Sequence, residues 1–478
     1  MIISLIIGPL FAIVIITYYS ERSGAFAPVI FMKLETKNFY KTVGALVLPI
    51  ALQNLINVAV TSADVVMLGR VGETVLSGSS LAGQVQFVLT LFLFGLTSGA
   101  AVLTAQYWGK KDMRTIEKVM GIAFRFSIIV SVIFLLAVQI FPAQVMSIFT
   151  PEQPVIDEGV KYLRIVSFSY LTCAVTHVYL NVMRSVERVV IATVTYSVSL
   201  IVNIIINGIL IFGLLGFPQM GIVGAAIGTL VARIVELLIV VVYARTKSIL
   251  NFKLRDLFVR DKLLFQDFIR YAIPVTLNEL MWGTGCSVIA VVIGHMGQAA
   301  VAANSVAQVT RQLATVVSFG IAAAAAVLIG KAIGEDNYEE AQKYGTRFVK
   351  LSIVAGLAGA LVVLIARPIV LQVMTLTPTA QGYLSTMMFI MAYFVVAQAY
   401  NTTMVVGIFR AGGDTRFGLV LDVVTMWGCS ILFGAIAAFV FHWSVEWVYV
   451  LLLSDEIIKI PLTTWRYKTR VWLRNVTR

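Results

Sequence analysis

Long apolar runs alternate along the chain with short polar links. From Met32 onward twelve such runs can be delimited, at 43–69, 78–107, 119–141, 158–182, 190–213, 222–244, 268–293, 299–329, 347–370, 380–407, 417–441 and 446–464. At ~1.5 Å per residue each is long enough as a helix to cross a hydrocarbon layer of ~30 Å. The pattern predicts an all-α polytopic membrane protein with twelve transmembrane helices. A further apolar stretch lies upstream, within residues 1–31. Three readings are open for it, an extra span, a signal-like segment or sequence upstream of a start at Met32; it has no basic n-region, although Ala25-Phe26-Ala27 resembles a cleavage site, and it is read as a dispensable N-terminal hydrophobic extension.

The polar positions carry a second periodicity. Slid against itself by 225 residues, the chain aligns 49–109 with 274–334 without a gap, and Pro49/Pro274, Gly69/Gly294, Gly72/Gly297, Gly95/Gly320 and Gly109/Gly334 coincide. The chain is therefore built of two homologous six-helix halves. Six spans is an even number, so both halves enter the membrane in the same sense, as in parallel-repeat transporters with a cleft between two bundles. The expected domains are an N-lobe at 32–243, a cytoplasmic connector at 244–267, a C-lobe at 268–464 and a basic tail at 465–478. Pro49 and Pro274 fall early in the first helix of each half, where a missing N–H favours a bend.

Composition agrees and excludes other classes. Of 478 residues, 59% are hydrophobic and 13% charged, with a mean hydropathy of +0.92. The net charge of +12 is not a nucleic-acid signature, because the basic residues sit in short clusters between apolar runs rather than on one domain face. They report topology instead. The tail from Met32, the even-numbered loops and the C-terminal tail hold most of the 36 Lys and Arg, whereas the odd-numbered loops hold Arg70 and Arg367. This places both the Met32 tail and the C-terminus in the cytoplasm. Cys173, Cys286 and Cys429 lie in apolar runs without paired spacing and read as small packing residues. No P-loop, nucleophile elbow, redox cysteine pair or paired catalytic acids occur, so no enzyme activity and no cofactor is expected, and energy must come from an ion gradient.

Polar groups inside the spans are the candidate chemistry, because lipid offers them no partners. Asn54, Asn57, Thr61 and Asp64 make one stripe on the first helix, and Ser199, Asn203 and Asn207 another on the fifth. One carboxylate among neutral amide and hydroxyl oxygens suits Na⁺, and a lone carboxylate also suits a proton. Glu279 stands near the middle of the seventh span. Asn304, Gln308, Arg311 and Thr315 share a face of the eighth, with Arg311 at nearly the depth of Glu279, so a Glu279–Arg311 ion pair is expected. Arg233/Glu236 and Asp455/Lys459 have spacings that neutralise locally. Asp422 has no evident role. His177, His295 and His442 are scattered and suggest no metal site.

Several motifs together resemble the multidrug and toxic compound extrusion (MATE) family. They are Ala63-Asp64-Val-Val-Met-Leu-Gly69-Arg-Val-Gly72, Ala105-Gln-Tyr-Trp-Gly109, Asn203-Ile-Ile-Ile-Asn207-Gly-Ile-Leu-Ile-Phe212-Gly213, Gly224-Ala-Ala-Ile-Gly-Thr229 and Phe409-Arg-Ala-Gly-Gly-Asp414-Thr415. The resemblance covers about residues 40–465. It implies a secondary active antiporter of the plasma (inner) membrane that expels organic, often cationic and amphipathic, compounds in exchange for Na⁺ or H⁺ by alternating access. It further implies an N-lobe cation site on Asp64, Asn203, Asn207 and Thr229. In the C-lobe it points to Glu279, while the tenth helix reads Gln398-Ala-Tyr-Asn401, without the acid that some members carry. Glu279, Arg311, Trp282, Gln398, Tyr400 and Asn401 are the C-lobe candidates, with Trp282 and Tyr400 as stacking partners for a cationic substrate. Small-molecule substrates and membrane lipids are the expected partners, nucleic acid is not, and the expected state is a monomer. The rival reading is a lipid-linked oligosaccharide flippase of the same superfamily, which needs a cationic cavity for an anionic headgroup.

Overall fold

The computed structural model describes residues 33–247, 249–374 and 376–478, so the N-terminal extension at 1–31 lies outside the described residues. Those residues are helical, with no strand among them. The first half comprises α1 (Lys33–Gly69), α2 (Glu73–Gly109), α3 (Met113–Ile140), the short α4 (Pro142–Ser147), α5 (Gln153–Val166), α6 (Ser169–Ser185), α7 (Val190–Phe212) and α8 (Ile222–Thr246). The second comprises α9 (Lys262–His295), α10 (Gln298–Gly334), α11 (Tyr338–Val373), α12 (Pro378–Thr402), α13 (Thr415–Asp422), α14 (Leu432–Phe439), α15 (Val445–Leu452) and α16 (Asp455–Lys468). A π-helical segment, Thr403–Phe409, extends α12, and another, Val423–Ile431, joins α13 to α14.

Twelve transmembrane spans in two lobes result. Among the described residues ten helices are long and apolar enough to cross a membrane unaided, and α5 with α6 adds an eleventh span bent by 54°. The twelfth is α15 with α16, interrupted at Leu453–Ser454. Each of these two helices is short, and Asp455, Glu456 and Lys459, all buried, lie in the second. Pro49 and Pro274 lie inside the continuous helices α1 and α9.

The chain forms two compact units. One joins the described residues up to Thr97 with Glu117–Asp261, and the other joins Ser98–Ile116 with Lys262–Arg478. The second half of α2 thus belongs with the C-lobe helices. Small residues permit that packing: a Cβ at Gly334 of α10 would run into the carbonyl of Gln106, and one at Gly109 into that of Lys331. Lipid supplies no hydrophobic drive between helices, so such close backbone approach is what holds them. Within the first unit the connector is docked rather than loose. The Asn251 N–H donates to Glu117 Oε1 at 2.7 Å, Arg125 donates to the Val259 carbonyl at 3.2 Å, and Lys118 pairs with Asp261 at 3.2 Å.

Each unit has its own apolar core. That of the first includes Leu89, Leu93, Leu163, Tyr170 and Cys173, and that of the second Met387, Met388, Met391, Val395 and Leu452, with Cys286 packed against it. All three cysteines are unbridged.

Candidate functional site

In the first unit, α1 and α7 bring Asp64, Asn203 and Asn207 together. The Asn207 amide donates to Asp64 Oδ1 at 2.6 Å and to Asn203 Oδ1 at 3.2 Å. Asn207 is fully buried and Asn203 is 2% exposed. Two side-chain oxygens, Asn207 Oδ1 and Thr229 Oγ1, are buried without a hydrogen-bond partner. A buried acceptor left unsatisfied costs ~1–3 kcal/mol, so the arrangement is set up for a donor or a cation. Gly228 makes room for it, since a Cβ there would collide with Asn207 Oδ1. Asn57 and Thr61 of the expected α1 stripe are exposed, and Thr61 bonds only the carbonyl of Asn57 on its own helix. No group of three or more His, Cys, Asp or Glu among the described residues is placed to hold a metal; a cation here would rest on one carboxylate and neutral oxygens.

The second unit overturns the expected partner of Glu279. Its carboxylate pairs with Arg410 at 2.6 Å, not with Arg311. Arg410 follows the π-helical segment and is 4% exposed. Its guanidinium also donates to Asn278 Oδ1 at 2.8 Å and to Ser98 Oγ at 3.1 Å. A planar fork satisfies three acceptors at once, which suits a buried charge. Arg311 is half-buried over the ring of Phe394, 5.8 Å from its centroid, and no carboxylate lies within ion-pair distance of it among the described residues. Equal depth on neighbouring spans did not mean facing sides.

From Arg410 the polar chain continues. The Asn278 amide donates to Asp422 at 2.6 Å, and Lys459 reaches Asp422 at 2.9 Å, Asp455 at 2.8 Å and Glu456 at 3.4 Å. The Asn401 amide donates to the Glu456 carbonyl at 2.6 Å and to its carboxylate at 2.8 Å, and Thr463 donates to Asn401 Oδ1 at 3.3 Å. Asp455 and Lys459 are therefore more than a local pair, and Asp422 is part of the same network. The tenth span lacks an acid of its own, but Asn401 recruits one from the twelfth. Four carboxyls share two cations here, whereas the buried pair of the first unit, Arg233 with Glu236 at 2.8 Å, is balanced.

The remaining candidates are placed differently from expectation. Trp282 is partly buried against the apolar core, and the Tyr400 hydroxyl is held by Thr464 at 2.7 Å. Gln398 is buried, with Oε1 lacking a partner. Sequence reasoning missed Glu456, gave Arg410 no ion-pair role and read Lys459 only as the local partner of Asp455. The first half holds a similar contact, in which Arg184 donates to Gln53, the repeat counterpart of Asn278, at 2.9 Å, but at the 225-residue offset Arg410 aligns with Ser185, so the repeat alone did not point to it.

Comparison with known proteins places these features. The MatE family model matches residues 49–209 and 274–436, two stretches that begin at the repeat-related Pro49 and Pro274. The chain is 23% identical over 412 residues to the probable multidrug resistance protein YoeA of Bacillus subtilis, covering 84% of this chain and 88% of that protein. It is 22% identical over 444 residues to the probable multidrug resistance protein NorM of Thermotoga maritima, covering 92% and 94%. Among solved structures, an outward-facing multidrug resistance MATE transporter superposes with a TM-score of 0.80 at 19% identity, covering 90% of this chain and 96% of that one. A MOP superfamily transporter from Pyrococcus furiosus, described as having a binding pocket of reversed polarity, gives 0.81 at 19% identity, covering 90% and 95%. These likenesses show the fold.

Proposed function

This chain belongs to the multidrug and toxic compound extrusion family, and on that premise we propose that it is a secondary active antiporter exporting organic cations in exchange for an inward-moving ion. The observation that carries the reading is the cluster of Asp64, Asn203 and Asn207, with Asn207 Oδ1 buried and unsatisfied and Gly228, next in sequence to Thr229, packed against it. Between the two coupling ions, the oxygens of this cluster favour Na⁺. A proton on Asp64 supplies a single donor, whereas Na⁺, a hard cation, draws on the carboxylate and several neutral oxygens at once. In this scheme the ion binds Asp64 in the outward-open state and is released to the cytoplasm as the lobes alternate.

The C-lobe supplies the attraction for cargo. Its network carries four carboxyls against two cations, an excess of acids that offers a place for a proton and, wherever such an acid is ionised, an attraction for a cationic, amphipathic substrate. The same surplus argues against the flippase reading, which needs net positive charge for an anionic headgroup. The names of the relatives YoeA and NorM, both multidrug resistance proteins, point the same way. The protein is read as a monomer in the plasma (inner) membrane with its basic ends cytoplasmic.

The test is uptake of ethidium into energised inverted vesicles. Asp64→Asn is expected to abolish ion-dependent transport while the purified protein keeps the thermal stability of the wild type. Undiminished transport by that variant would overturn the cation-site assignment.

A further inference from the structure

One motif of the sequence, Phe409-Arg-Ala-Gly-Gly-Asp414-Thr415, is left unused by the transport scheme beyond Arg410. It borders a cavity of about 290 Å³ at the end of the second unit that carries the basic tail. Three separate elements meet there: Arg270 comes from the start of α9, Thr415 and Arg416 from the start of α13, and Arg474 and Asn475 from the tail after α16. None of the three arginines has a carboxylate within ion-pair distance among the described residues. The acid on the cavity wall, Asp414, is already engaged by Arg466 through two bonds of 2.7 and 3.0 Å. The wall therefore carries an uncompensated positive charge.

The backbone adds to it. Asp414 precedes α13 but its side chain makes no cap bond, so the first-turn N–H groups, at the positive end of the helix dipole, are left without a side-chain acceptor. Arginine forks and open helix amides together recognise the tetrahedral oxygens of a phosphate group.

The tail portion of the wall is held in place. Trp472 is fully buried and stacks on Tyr467 at 5.6 Å. Gln106 donates to the carbonyls of Ala411 at 2.7 Å and Arg474 at 3.0 Å, and accepts from the Val476 N–H at 2.7 Å. Gly412 and Gly413 allow the tail to lie directly on the loop. A Cβ at Gly412 would collide with the Trp472 carbonyl, and Gly413 has φ +75°, where a side chain is disfavoured.

We propose that this cavity is a binding site for a phosphate group, which ties the tail to the starts of α9 and α13. The group is that of an anionic phospholipid headgroup or of a soluble phosphate, and the inference stands apart from the identity of the coupling ion.

The test uses the full chain purified in a neutral detergent, titrated in separate arms with inorganic phosphate, dihexanoyl phosphatidylglycerol and dihexanoyl phosphatidylcholine, with binding read by calorimetry. Saturable binding is expected for at least one of the two anionic probes, weaker for the zwitterionic one and weakened by added NaCl. Binding of phosphatidylglycerol alone assigns the lipid, and binding of inorganic phosphate assigns the soluble anion. Each of Arg270→Gln, Arg416→Gln and Arg474→Gln should weaken binding about tenfold or more. The exposed Lys110→Gln, outside the cavity, should leave it unchanged, and all four should melt as the wild type does. No saturable binding of either anionic probe, or binding unaltered in Arg416→Gln/Arg474→Gln, would overturn the proposal.

Discussion

Glu279 is held in the second unit by Arg410 at 2.6 Å, a buried ion pair inside an apolar span. A carboxylate in the middle of an apolar span demands a partner, and that demand was legible from its position alone. The partner was not, because depth along a helix can be counted but the side it faces depends on how the helices cross. Arg410 lies in a segment that reads as a short loop between spans, and in the structure it directly follows a π-helical stretch, Thr403–Phe409. The structure makes the correction testable. Truncating one partner of a buried pair leaves the other charge stranded at a cost of ~3–5 kcal/mol, so Arg410→Ala should sharply lower thermal stability in detergent. Arg311→Ala should change it by far less, since it removes a contact with the Phe394 ring worth ~1 kcal/mol. Equal losses in the two variants would contradict the assignment of the pair. Lys459 makes a parallel prediction: with three carboxylates around it, Lys459→Met should leave a repelling acid cluster and impair folding, whereas Lys459→Arg should largely retain it.

At the scale of elements, spans were the easiest feature to read and junctions the hardest. All twelve apolar runs from 43 to 464 correspond to spans, because hydrophobic length is a local property of the chain. Two π-helical segments left no mark in the sequence, yet they adjoin Arg410 and Asp422, the residues that bond opposite ends of the Asn278 side chain. The connector and the basic tail carried no sequence signal for packing, yet both are docked, and the tail buries Trp472 completely. Removing a buried Trp costs ~3–5 kcal/mol. Trp472→Ala should therefore release the tail and raise its rate of cleavage by trypsin, with the rest of the chain still resistant. Helix packing around the N-lobe site gives another expectation. Gly228→Ala sets a methyl against Asn207 Oδ1; overpacking of this kind costs ~1–3 kcal/mol of stability, so the variant should melt below the wild type, and displacement of that oxygen should also weaken ion-dependent transport.

At the scale of the whole molecule, two homologous halves carry different charges. The repeat aligns Glu279 with Asn54 and Asp64 with Ile289, so the same scaffold position holds an acid in one half and a neutral side chain in the other. The first unit holds a single carboxylate among neutral oxygens, suited to a small cation. The second holds a network in which acids outnumber bases, suited to a proton or to attraction of an organic cation. Gene duplication would supply the common scaffold, and divergence at a few buried positions the division of labour. The most direct measurement is ethidium transport in proteoliposomes, with a Na⁺ gradient imposed at equal pH and then a pH gradient without Na⁺. Transport driven by Na⁺, and lost in Asp64→Asn while Asn207→Asp retains it, is the result the account predicts; transport driven equally well by Na⁺ in the absence of the Asp64 carboxylate would contradict it.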